Sequence, residues 1–175
     1  MNYLADTHIL LWSFLDTTKL SDKIKSIMLD ENNDIYYSPI NLWEISIKYG
    51  LKKLSLNGGM PDDFFEEVDN SYYLCKKIDN MDFITSYKLP MYHKDPFDRF
   101  LIWEAIRNNF ILISIDKNME LYKNNGLKVI YKAKRTSHNR TVYASPPVGG
   151  SGFRSPRSFR CAPFPRLTTP TVCQP

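Results

Sequence analysis

Phe110-Ile111-Leu112-Ile113-Ser114-Ile115-Asp116, FILISID, is a bulky apolar run with no polar alternation, and it stops on a carboxylate. A strand with one face in water alternates, whereas one buried on both faces does not. Tyr3-Leu4-Ala5, halted by Asp6-Thr7, has the same form and leads into His8–Leu15, an apolar stretch that reads as a buried helix. Ile35-Tyr36-Tyr37, Tyr72–Cys75 and Leu127–Tyr131 supply three further strands. Helical stretches separate them: 22–30 behind a Ser21 cap, 39–50 behind Ser38-Pro39 with Gly50 closing it, one starting at Met60-Pro61, 82–89 and 97–108, with a short turn at 119–122. Strands alternating with helices predict an α/β fold, an open parallel sheet covered on both faces. Ligands of such sheets bind beyond the carboxyl ends of the strands.

Composition divides the 175-residue chain near residue 132. Residues 1–132 hold 16 basic and 19 acidic side chains, a net of −3, while residues 133–175 hold 7 basic and no acidic ones, a net of +7. The overall charge of +4 therefore belongs to the tail and does not mark a nucleic-acid surface on residues 1–132. The tail, rich in Pro, Ser and Arg, lacks the periodic apolar residues needed to offset ordering entropy, so disorder and a non-native or frameshifted origin are the expectation. The prediction is one domain, 1–132, followed by a basic tail, 133–175.

Three widely spaced cysteines and three histidines form neither a disulfide framework nor a zinc pattern. The start of the chain lacks a basic segment followed by a long apolar run, and no stretch reaches membrane-spanning length, so a soluble, cytoplasmic protein is expected.

Asp6 and Asp116 each follow an apolar strand at the edge where a site is expected. Glu44 falls inside the stripe Ile40, Trp43, Ile47 and Leu51, and Asp98 shares a helical face with Leu101, Ile102 and Ala105. Asp95, by contrast, reads as a helix cap before Pro96, with Arg99 as its i+4 ion-pair partner. Four carboxylates converging without nearby lysines would repel one another, and a hard divalent cation removes that conflict. Mg²⁺ or Mn²⁺ takes oxygen donors and can promote phosphodiester hydrolysis. Each residue also has a plainer role: Asp6 as a cap, Glu44 paired with Lys48, Asp98 favouring a helix dipole, Asp116 opening a turn. His93 reads as a loop hydrogen-bonder, and Trp12, Trp43 and Trp103 as core. A haloacid dehalogenase-type phosphotransferase would need an aspartate where His8 stands.

The segments LADTHILLW, SPINLWEISIKYGLKKL, HKDPFDRFLIWEAI and ILISIDKNMELY, in this order, resemble the PIN-domain ribonucleases, in particular the VapC-like toxins of type II toxin-antitoxin systems. The resemblance spans about residues 1–131 and none of the tail. It implies a three-layer α/β/α sandwich around a central, mainly parallel sheet, and a Mg²⁺- or Mn²⁺-dependent endoribonuclease site. By position Asp6 and Asp98 correspond to the most direct metal ligands and Glu44 and Asp116 to the rest of the acidic set, with Thr7 and Ser114 as hydroxyl supports. It further implies an RNA substrate, a homodimer and a small cognate antitoxin. The alternative is a non-catalytic PIN module that binds RNA or a protein partner.

Overall fold

The computed structural model describes residues 1–131. The expected boundary at 132 and the tail 133–175 lie outside the described residues. In chain order the elements are β1 (Asn2–Ala5), α1 (Thr7–Leu15), a 3₁₀ turn (Thr17–Lys19), α2 (Asp22–Leu29), β2 (Asp34–Tyr37), α3 (Pro39–Gly50) and α4 (Pro61–Asp69). There follow β3 (Leu74–Cys75), α5 (Asn80–Thr85), a 3₁₀ turn (Ser86–Lys88), α6 (Pro96–Arg107), β4 (Ile111–Ser114), a 3₁₀ segment (Lys117–Asn125) and β5 (Lys128–Tyr131).

All strand pairings are parallel, in the order β3-β2-β1-β4-β5. The most apolar strands take the middle: Tyr3 of β1 lies opposite Ile35 of β2 and Ile111 of β4. Successive residues point to opposite faces, and each face has its own core. Tyr3, Ala5, Ile35, Tyr37 and Ile113 join Ile9, Leu10, Ile24, Ile45, Phe64 and Val68 on one side. Leu4 and Leu112 join Phe100, Leu101, Ile102, Met119 and Tyr122 on the other. This is a three-layer α/β/α sandwich. Strand order reverses between β1 and β4, and the crevice beyond that switch point is the general ligand site of open α/β sheets.

Local chemistry sets the helix starts. Ser21 caps α2, Ser38 and Asn41 form a reciprocal capping box at α3, and Asp95 accepts from Phe97 N at 2.9 Å with Pro96 as the first residue of α6. Both α3 and α6 end in Schellman motifs whose left-handed position is not glycine. Lys52 (φ 56°) follows α3 and Asn109 (φ 56°) follows α6, with Lys53 N bonded to Lys48 O at 2.8 Å and Phe110 N to Ala105 O at 2.9 Å. Gly50, expected to close α3, is instead its last helical residue.

Other expectations shift. The third strand shrinks to Leu74–Cys75, an exposed edge. The helix expected at 82–89 is α5 plus a 3₁₀ turn, because Asp79 caps it three residues early and accepts from Met81 N. The buried side of α3 is Ile40, Asn41, Glu44 and Ile45, so Glu44 is inward as expected while Trp43 (58 % exposed) and Leu51 are not. Trp43 instead meets Phe97 of α6 edge-on, ring centres 5.2 Å apart. The Asp95–Arg99 pair does not form; the Arg99 guanidinium donates to the carbonyls of Pro90 (2.6 Å) and Leu89 (3.0 Å), holding down the loop before α6.

Candidate functional site

At the carboxyl end of β1, Asp6 is 2 % exposed and caps α1 through a long bond from His8 N, 3.4 Å. Ser114, the last residue of β4, donates its hydroxyl to Asp6 Oδ2 at 2.6 Å, so the two strands of the switch point are stitched together at the carboxylate. The same hydroxyl accepts from Asp116 N at 3.0 Å. Burial raises the Asp6 carboxyl above its ordinary range, and the Glu44 charge adds to this, while the Ser114 and His8 contacts oppose it.

Glu44, also buried, accepts from Thr7 Oγ1 at 2.6 Å, and Thr7 Oγ1 in turn accepts from Asn41 Nδ2 at 2.9 Å. Its other oxygen pairs with Lys48 one turn further along α3. The cluster is therefore not free of lysine, contrary to the expectation; the i+4 pair weighed as the plainer role of Glu44 coexists with its inward placement. Thr7 and Ser114 both act as hydroxyl supports, one for Glu44 and the other for Asp6.

Asp98, in the first turn of α6, is pushed up to about 7, first by burial and then by the negative charges of Asp6, Asp95 and Glu44, with His93 pulling the other way. Asp6 and Glu44 thus lie close enough for their charges to act on Asp98. Asp116 joins through His93, whose Nε2 is 2.9 Å from Asp116 Oδ2 and 3.5 Å from Asp98 Oδ2. Burial alone would raise Asp116, but the Asn118 amide and His93 outweigh it and hold that carboxyl low. Among the described residues, ligand atoms of His93, Asp98 and Asp116 lie within 4.8 Å of one another. The backbone N–H of Asp95 donates to His93 Nδ1 at 3.2 Å, which puts the ring proton on Nε2. His93 is thus an N–H donor between two carboxylates rather than a free lone pair, which agrees with its reading as a loop hydrogen-bonder. Its place in the site was not legible, because a loop histidine carries no periodicity. The donor set of three aspartates and one glutamate, too close for all charges to be comfortable, suits a hard divalent cation.

Among the described residues no helix is long and apolar enough to cross a membrane. No curated protein matches the chain. A solved structure with the same fold is VapBC2 from Rickettsia felis bound to a DNA fragment from their promoter, at 18 % identity and a TM-score of 0.54 over 75 % of this chain and 98 % of that one. The family model described as "PIN domain" matches residues 3–125, from β1 through the 3₁₀ segment that follows Asp116, and takes in every acid of the cluster. On that match, which spans most of its length, the chain belongs to the PIN-domain family.

Proposed function

We propose that this PIN-domain protein is a metal-dependent endoribonuclease, the toxin of a toxin-antitoxin pair, with Asp6, Glu44, Asp98 and Asp116 holding Mg²⁺ or Mn²⁺. The observation that carries this reading is the gathering of acids at the switch point of the sheet, where ligand atoms of His93, Asp98 and Asp116 lie within 4.8 Å of one another beside the buried carboxylates of Asp6 and Glu44. Such crowding of acids disfavours the folded protein unless a cation is to be bound there. When bound, the ion supplies charge stabilisation on a phosphodiester and lowers the pKa of water. The chain's own residues do the holding. Ser114 orients Asp6, Thr7 and Lys48 orient Glu44, and His93 keeps Asp98 and Asp116 together. Hydrolysis adds a water oxygen to phosphorus and breaks the bond to the leaving sugar oxygen, which takes up a proton.

The purified chain is expected to cut RNA with Mg²⁺ or Mn²⁺ and to stop with EDTA. Asp6→Asn should lose several kcal/mol of transition-state stabilisation, about a hundredfold or more in rate. Unchanged cleavage in that variant would remove the site assignment. A cytoplasmic location, an antitoxin and a homodimer complete the proposal, supported by the VapC-like motifs. Apolar residues exposed around α5, Phe83, Ile84 and Tyr87, offer the homodimer a surface to bury.

One observation favours the non-catalytic alternative. Lys48 already gives Glu44 an internal counter-charge, and His93 Nε2 already occupies Asp116 with a hydrogen bond. Calorimetric titration with Mn²⁺ separates the two: heat of binding that disappears in Asp98→Asn supports the nuclease, and no heat supports a binding module.

A further inference from the structure

The ring of His93 fills the gap between two of the acids. Its Nε2 is 2.9 Å from Asp116 Oδ2 and 3.5 Å from Asp98 Oδ2, and the side chain is only 12 % exposed. Because Nδ1 accepts from the Asp95 amide, the nitrogen turned toward the carboxylates carries a proton and offers no lone pair. It donates to the acids and is a poor neighbour for a cation.

The ring is also held from behind. The His93 amide donates to Tyr122 Oη at 2.7 Å, and the buried Tyr122 donates that hydroxyl to Pro90 O at 3.0 Å. Pro90 O and Leu89 O accept in turn from Arg99, the residue after Asp98 on α6. The loop before α6, α6 itself and the 3₁₀ segment after Asp116 thus fix one imidazole in one tautomer and one place.

The four acids differ in what they can still give. Asp116 has both oxygens engaged, Oδ1 by the Asn118 amide at 2.8 Å and Oδ2 by His93. Glu44 is engaged at both as well, by Thr7 and Lys48. Asp6 receives its short bond at Oδ2, from Ser114, while the bond to Oδ1 from the His8 amide is 3.4 Å long. Asp6 and Asp98 are therefore the more open carboxylates, and the charge of one acts on the other. Sites that cut phosphodiesters with two ions hold them about 3.5–4 Å apart, so a second ion needs carboxylates next to those of the first. Here the space between Asp98 and Asp116 is filled by an N–H. We infer that His93 is a positioning residue that limits the centre to one divalent cation: its Nε2–H bridges Asp98 and Asp116 where a second ion would sit, and leaves Asp6 and Asp98 as the direct ligands of the first. The inference rests on the metal-dependent reading of the site and adds to it the number of ions and the group that sets it.

The test counts Mn²⁺ ions bound per full chain, after EDTA treatment and dialysis, from the electron paramagnetic resonance signal of the free ion and from calorimetry. Wild type is expected to bind one. His93→Asn keeps an amide oxygen within reach of the Asp95 N–H but has nothing where Nε2 stood; it is expected to bind two, as is His93→Ala. His93→Gln extends an amide N–H toward that point and should return the count to one. Adding Asp116→Asn to His93→Asn should also return it to one, which puts the extra ion at Asp116. A merely structural role would lower the urea midpoint of the His93 variants and leave every count at one. Two ions on wild type, or one on a cooperatively unfolding His93→Asn or His93→Ala, overturns the inference, and Mn²⁺-dependent cleavage by the same wild-type sample leaves the nuclease standing. An extra ion that survives Asp116→Asn lies elsewhere and overturns it too. A wild-type chain that binds no Mn²⁺ overturns both the inference and the metal-dependent reading.

Discussion

Asp95 and Asp98 stand three residues apart in one turn and do unlike work. Asp95 spends its carboxylate on Phe97 N, and its own N–H fixes the His93 ring. Asp95→Ala should therefore cost about 1 kcal/mol of stability in urea unfolding, the usual worth of a cap, with Asp95→Asn close to neutral. Asp98→Asn should abolish cleavage, yet unfold at an equal or higher urea concentration at pH 8 without metal. The carboxylate it removes is one that burial and Asp6 hold above its ordinary pKa, so ionised Asp98 works against the fold. Loss of stability together with loss of activity would make Asp98 structural. The phase of Asp98 was legible because Leu101, Ile102 and Ala105 mark the buried side of its helix at i+3, i+4 and i+7. The partners of Arg99 were not, since the Leu89 and Pro90 carbonyls reach it only through a loop whose path no periodicity encodes.

Helix α3 shows where periodicity misleads. Its apolar residues suggested a stripe through Trp43 and Leu51, but the side facing β1 and α1 carries Asn41 and Glu44, polar residues satisfied by Ser38, Thr7 and Lys48. A helix that borders a site buries polar groups, and its hydrophobic pattern then points about one position away from its true inner face. Lys52, held left-handed beyond this helix, bears a strain that glycine would not; Lys52→Gly should raise stability by about 0.5–1 kcal/mol and leave Lys48 and Lys53 in place. Helix α6 buries a second unneutralised acid. Glu104 is 0 % exposed, and neither of its oxygens has a hydrogen bond of normal geometry, although the Ser38 hydroxyl lies near enough to lower its proton affinity somewhat. Burial pushes this carboxyl up from 4.5 to about 7, Asp82 adding and Lys76 opposing. Between those values the unfolded chain gives up a proton that the folded one keeps, so stability falls as pH rises from 4.5 to 7 and levels off above. The fall attributable to Glu104 is on the order of 3 kcal/mol. Urea midpoints at pH 5 and pH 8, compared with those of Glu104→Gln, check it; an equal fall in the variant would show that Glu104 is not its source.

At the scale of the whole molecule, the described sheet and both described cores are built from residues before 132. A chain truncated after Lys132 is expected to unfold within about 2 °C of the full one, a shift below what 1 kcal/mol would produce. The parallel α/β sheet was legible because its strands are apolar on both faces, and the acids because they sit where strands stop. The grouping of Trp12, Lys19 and Lys53 around one cleft was not, because these residues are far apart in sequence and no local pattern links them. The bond from the Ser114 hydroxyl to Asp6 spans 108 positions of chain, and β4 enters the sheet beside the strand that was made first. Pairing across so long a loop comes late in folding. On the ribosome, then, a growing chain carries Asp6 long before Asp116 and cannot bring the four acids together until Asp116 has left the exit tunnel. A chain abandoned before that point has no complete set.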